Sequence, residues 1–157
     1  KRNQIARVFL AGDSEWRVIK EIMDKTTDND YLNWDLMEAP HHCSYKFFAD
    51  ARENDPNQAS LDFLDKKESN AYVVSSSKIV KKNSDNPPCQ KAKNRYTDKV
   101  GESNFLCTSG EKDDDTPTPI VFVIEDGEVG LLEDEKKEKE ARAAAAAIKE
   151  TKPHFYG

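Results

Sequence analysis

Two short apolar runs, each ending in a cluster of chemistry-bearing residues, constrain this chain most. Residues 5–10 (IARVFL) lead into Gly12-Asp13-Ser14, and residues 34–39 (WDLMEA) lead into Pro40-His41-His42-Cys43-Ser44. Apolar runs bounded by Gly or Pro read as strands. That reading places an aspartate and two histidines on loops at strand ends. A carboxylate oxygen beside imidazole nitrogens is a donor set for a divalent transition metal. Two or three donors do not close such a site, and the sequence shows no other clear ligand cluster.

The rest of the chain alternates. Trp16, Ile19, Ile22 and Met23 recur at helical spacing over residues 15–25, with Ser14 as the expected N-cap. Residues 26–33 form a polar loop, and Pro40 ends the second strand, predicted over 35–39. Tyr45, Phe47 and Phe48 make an aromatic patch, expected in the core rather than as a cover for the site. A short helix is predicted over 60–67, carrying Leu61 and Leu64, then a buried strand over 71–74 running into Ser75, Ser76 and Ser77. A helix over 89–100 opens next to Pro88. A fourth strand covers 105–107. Residues 120–124 and 128–132 flank Asp126-Gly127, a hairpin turn signal. Residues 133–150 are rich in Glu, Lys and Ala and predict a charged helix with a thin apolar stripe. The order of elements indicates an α/β (α+β) layered fold, with the hairpin making its sheet mixed. Residues 1–132 form the domain, and 133–157 a C-terminal helix and tail.

The length of 157 residues suits one domain. No apolar run approaches a membrane span of roughly 20 residues, and no cationic-then-apolar leader opens the chain. The expectation is a cytoplasmic protein with no membrane partner. The absence of an initiating Met at Lys1 suggests a fragment or processed product. A net charge of −6 argues against binding nucleic acid through a broad basic face. It leaves open an enzyme acting on nucleic acid, because bound cations invert the local field. Cys43, Cys89 and Cys107 are odd in number and widely spaced, which fits a reducing compartment and gives no zinc knuckle. The triple serine is no nucleophile elbow, since Gly-x-Ser-x-Gly is absent. No phosphate-binding Gly-rich loop occurs, and residues 113–115 lack calcium-loop spacing. A Cys43–His pair is disfavoured as a nucleophile, because neighbours on an extended loop point apart.

Taken singly, Asp13 fits a turn or cap and the His pair fits an ordinary loop. Taken in order, the blocks resemble the C-terminal half of metallo-β-lactamase-fold hydrolases. The subgroup attached to bacterial DNA-uptake channels, with its Gly-Asp-Ala/Ser and Pro-His-His-Gly-Ser loops, is the nearest in pattern. The strand at 71–76, the loop to Asn86-Pro87-Pro88, residues 105–108 and the hairpin also match in kind, so the resemblance spans residues 3–132. It implies an αββα sandwich, of which this chain carries half. It implies metal-assisted hydrolysis of an ester or phosphodiester, with single-stranded DNA among the candidate substrates. Asp13 matches a carboxylate shared by two divalent ions, zinc or manganese. One of His41 and His42 matches a late His ligand, its neighbour serving in hydrogen bonding or proton transfer, and Ser44 is placed to hydrogen-bond nearby. The family's upstream His-x-His-x-Asp-His loop is not in this sequence, Cys43 stands in place of Gly, and Asn86 in place of His. The remaining donors are therefore expected from the N-terminal half of the domain or another chain. The alternative is a non-catalytic, degenerate module of the same fold that has lost its metals and binds a partner.

Overall fold

A computed structural model describes residues 5–109 and 119–132. The charged helix predicted over 133–150, the acidic run at 113–115 and the C-terminal tail lie outside the described residues. Four strands, β1 (Val8–Phe9), β2 (Trp34–Glu38), β3 (Lys67–Ser75) and β4 (Phe105–Cys107), form one sheet in the order β1-β2-β3-β4. Every pairing is parallel, with Val8 opposite Leu36, Met37 opposite Val73, and Val73 opposite Phe105. The connecting helices are α1 (Trp16–Lys25), α3 (Gln58–Leu64) and α4 (Gln90–Val100); α2 (Pro40–Cys43) is a single turn at the end of β2. A hairpin, β5 (Phe122–Glu125) and β6 (Glu128–Leu131), closes the described chain. The molecule thus combines α and β structure. The hairpin does not make the main sheet mixed: it is hydrogen-bonded as a separate antiparallel pair, and the four-stranded sheet is wholly parallel.

Parallel neighbours taken in chain order and joined by right-handed crossovers put all their connections on one face. Accordingly α1 packs on α3, and α4 packs on β3 and β4. Between this layer and the sheet lies the core: Ile19 of α1, Trp34 and Met37 of β2, Phe63 and Leu64 of α3, Ala71 and Val73 of β3, Ala92 and Tyr96 of α4, and Phe105. Strand alternation explains the selection. Ala71, Val73 and Ser75 are buried against the helices, while Tyr72 projects from the other face and meets the ring of Phe122 in the hairpin at 5.2 Å. Val8 also projects from that other face, in register with Leu36, and is 44% exposed.

Tyr45, Phe47 and Phe48 belong to this core, as the sequence suggested. Phe47 meets Phe48 edge-on at 4.9 Å and lies 5.8 Å from Tyr96. Two buried anchors fix α3 beneath them. The Ser60 hydroxyl donates to the Phe47 carbonyl at 2.6 Å, and the Trp34 indole donates to the Phe63 carbonyl at 3.1 Å. At the surface, Asp50 accepts from the Trp16 indole at 2.9 Å and from Arg17 at 2.7 Å, tying α1 to the segment after the aromatic patch. The hydrogen bond from Trp16 is the main reason its carboxyl is held below the usual range, with Arg17 adding to it.

One core group is unbalanced. The Tyr96 hydroxyl is buried with no hydrogen-bond partner among the described residues, and burial pushes its ionisation well above the ordinary phenol range. An unpaired buried hydroxyl costs about 1–3 kcal/mol. Tyr96→Phe keeps the ring and removes that cost. Its urea midpoint is therefore expected to rise, by roughly 1 kcal/mol in unfolding free energy. A lower midpoint would mean that the hydroxyl has a partner in solution.

Candidate functional site

In a parallel sheet the loops after the carboxyl ends of the strands share one edge, and ligand sites of α/β proteins gather there. Here that edge collects Gly12-Asp13-Ser14 after β1, Pro40-His41-His42-Cys43 after β2, Ser75-Ser76-Ser77 at the end of β3, and Thr108-Ser109 after β4. Because β1 and β2 are neighbours, loops about thirty positions apart in sequence become adjacent.

Three backbone features draw the first two loops together. The His41 amide donates to the Gly12 carbonyl at 3.0 Å. The Gly12 amide donates to the Glu38 carboxylate at 3.2 Å. Gly12 itself has φ +51°, a conformation that glycine adopts without the Cβ penalty. The outcome is that His41 Nδ1 stands 3.5 Å from Asp13 Oδ1. The Asp13 side chain is 76% exposed and the His41 side chain 31% exposed, so solutes reach both from solvent.

The turn after β2 is left-handed. His41, His42 and Cys43 have φ of 50°, 55° and 65° in succession, and none is glycine. Each such residue costs about 1–2 kcal/mol, so the surroundings must hold the turn. The Ser44 amide donates to the Pro40 carbonyl at 3.2 Å, the Cys89 amide donates to the Cys43 carbonyl at 2.9 Å, and Cys43 is fully buried. Sustained backbone strain of this kind clusters at functional sites. Its effect here is to splay the two adjacent rings towards different neighbours. His41 faces the β1 loop, whereas His42 Nδ1 lies 2.9 Å from both the carbonyl oxygen and the hydroxyl of Ser76 at the end of β3.

Other residues named from sequence take different places. Ser44 hydrogen-bonds neither histidine: its hydroxyl accepts from the Lys46 amide at 3.3 Å and caps the turn at Tyr45–Phe47. Ser14 does not cap α1: Glu15 occupies that position without a side-chain cap, and the Ser14 amide closes a turn on Ala11. The Cys43 thiol points into the core, 3.8 Å from the Cys89 carbonyl. Burial first, then the neighbouring Cys107 and Cys89 thiols, push it up to about 12, so it is no thiolate nucleophile at neutral pH. Sequence reasoning missed Glu38 and Ser76. Glu38 carried a usable signal, a carboxylate at the end of the run that leads into the His pair; Ser76 carried none.

Chemically, the arrangement offers a carboxylate and an imidazole side by side, with a second imidazole held next to them in sequence. Among the described residues, no group of three or more His, Cys, Asp or Glu side chains is gathered closely enough to hold a metal ion. Two donors are a different matter. Ligands about 2.0–2.1 Å from one tetrahedral ion stand about 3.3 Å apart, and Asp13 Oδ1 and His41 Nδ1 are 3.5 Å apart. The pair therefore fits two corners of a divalent site. Comparison with protein-family models, with curated proteins and with solved structures gives no match to this chain.

Proposed function

We propose that this chain is the C-terminal part of a metal-dependent hydrolase of the metallo-β-lactamase superfamily, acting on an ester or phosphodiester. The observation that carries the reading is the approach of His41 to Asp13 at 3.5 Å on the carboxyl edge of a parallel sheet. It joins the two sequence motifs on which the family resemblance rests. Asp13 and one or both of His41 and His42 would hold the cation, zinc or manganese. Such an ion supplies Lewis-acid polarisation of a phosphoryl or carbonyl oxygen. The chain's own residues orient and neutralise: Asp13 brings negative charge, His41 stays aligned with it, and His42, where it is not a ligand, accepts or returns a proton.

Two protein donors leave the coordination incomplete. The remainder would come from another segment of the same protein or from another chain. A reducing, cytoplasmic setting is part of the same proposal, supported by three unpaired cysteines, two of them buried. Among the described residues, no helix is long and apolar enough to cross a membrane.

Zinc titration of the metal-stripped chain by calorimetry tests the reading. Asp13→Ala and His41→Ala are each expected to weaken binding by more than about tenfold, since loss of even an outer partner of a metal ligand costs 10–100-fold. Equal affinity in both variants and the parent would remove the metal site and favour the non-catalytic interaction module.

A further inference from the structure

We infer that Ser76 is a positioning residue that fixes His42 in one tautomer, with Nδ1 protonated and Nε2 presented as a bare lone pair. The argument starts from the double contact at Nδ1, 2.9 Å to the Ser76 carbonyl and 2.9 Å to its hydroxyl. A carbonyl oxygen has no hydrogen and can only accept. An unprotonated Nδ1 at that distance would set lone pair against lone pair. Nδ1 therefore carries the proton and donates it to the carbonyl, with the serine hydroxyl taking a second share. A neutral imidazole carries one N–H, so Nε2 is left bare on the far side of the ring. An Nδ1–H held by a backbone carbonyl is how imidazoles are oriented for metal binding or proton transfer.

The acceptor is itself held in place. The Thr108 amide donates to the Ser75 carbonyl at 3.0 Å, and the Ser109 amide donates to the Ser77 carbonyl at 3.2 Å. The hydroxyls of Ser75 and Ser77 are hydrogen-bonded at 2.7 Å. These contacts pin both neighbours of Ser76 to the loop after β4 and so fix the direction of its carbonyl. On the other side, the residue after His42, Cys43, is buried and anchors the turn. The adjacent histidines thus have different duties. His41 is committed to Asp13, and His42 keeps a free nitrogen for a ligand or a proton. The use of that nitrogen rests on the hydrolase proposal; the tautomer rests on geometry alone.

The test is the long-range proton–nitrogen NMR spectrum of the metal-free, nitrogen-labelled chain, recorded at alkaline pH so that the neutral ring is observed. Most of the His42 population is expected with Nδ1 protonated and Nε2 bare, the reverse of the preference of a free histidine side chain. Ser76→Ala keeps the carbonyl and is expected to keep that tautomer. A majority with Nε2 protonated, in the parent or in Ser76→Ala, overturns the inference. Zinc added afterwards reads the functional proposal separately. Displacement of the His42 Nε2 signal supports that proposal, whereas an unmoved Nε2 beside a protonated Nδ1 leaves the tautomer standing and counts against His42 as a metal ligand.

Discussion

Asp13→Ala is expected to lower ester or phosphodiester hydrolysis about a thousandfold in a protein that carries the full donor set, without unfolding it. The two halves of that statement have different causes. The Asp13 side chain is 76% exposed and supports no core contact. The loop that carries it is held instead through main-chain groups: the Gly12 carbonyl accepts from the His41 amide, and the Gly12 amide donates to Glu38. Truncating the carboxylate leaves those bonds intact, so the melting temperature should stay within about 2 °C, as is usual for surface substitutions within ±0.5 kcal/mol. Activity behaves differently. Removing one preorganised electrostatic group from an active site costs about 10²–10³-fold, and Asp13 would in addition hold the cation. Turnover of a nitrophenyl phosphodiester, read beside a thermal melt, separates these effects. Near-normal turnover would refute the role given to Asp13.

The second large effect concerns stability. Phe47→Ala is expected to cost about 3–5 kcal/mol, the range for truncating a buried phenylalanine. Phe47 has no solvent exposure and packs against Phe48, Phe63 and Tyr96, so it joins the turn after the His loop to α3 and α4. Domains of this size are stable by about 5–15 kcal/mol in total. The variant should therefore melt roughly 10–20 °C lower. Chemical denaturation should show the same loss, and Phe47→Leu roughly half of it. The strained left-handed turn lies only a few residues upstream, so zinc binding should weaken along with the fold. A stable Phe47→Ala protein would mean that the aromatic cluster is peripheral.

Much of the secondary structure was legible because its signals are local. Residues 105–107 form β4 with the bounds read from sequence, and Asp126-Gly127 does turn a hairpin, both residues having positive φ. The spacing of Trp16, Ile19, Ile22 and Met23 located α1 within a residue of its start. Where the signal was not local, the reading fell short. β3 begins at Lys67, four residues before the apolar block at 71–74, because the polar stretch pairs with Trp34 across a bulge. The hairpin's turn was readable, yet its separation from the main sheet depends on which strands are hydrogen-bonded neighbours.

The candidate site divides in the same way. Asp13 and the His pair stood out by residue type and by their place after apolar runs. The partner of each ring did not, because it depends on β2 lying between β1 and β3. Ser76 becomes visible only once β3 is placed beside β2. The left-handed conformation of residues 41–43 has only a faint sequence signature, the tolerance of histidine for positive φ, since no Gly or Asn occurs there. It is imposed by the buried Cys43, by the backbone bond to Cys89 and by the contacts of the two rings.

The most direct measurement is an anomalous difference map at the zinc edge from crystals of this chain grown with zinc. The expected result is an ion about 2.0–2.2 Å from an Asp13 oxygen and from an imidazole nitrogen of His41 or His42. An ordered Asp13 and an ordered His pair with no ion on them, or zinc bound only elsewhere on the chain, would contradict the shared site.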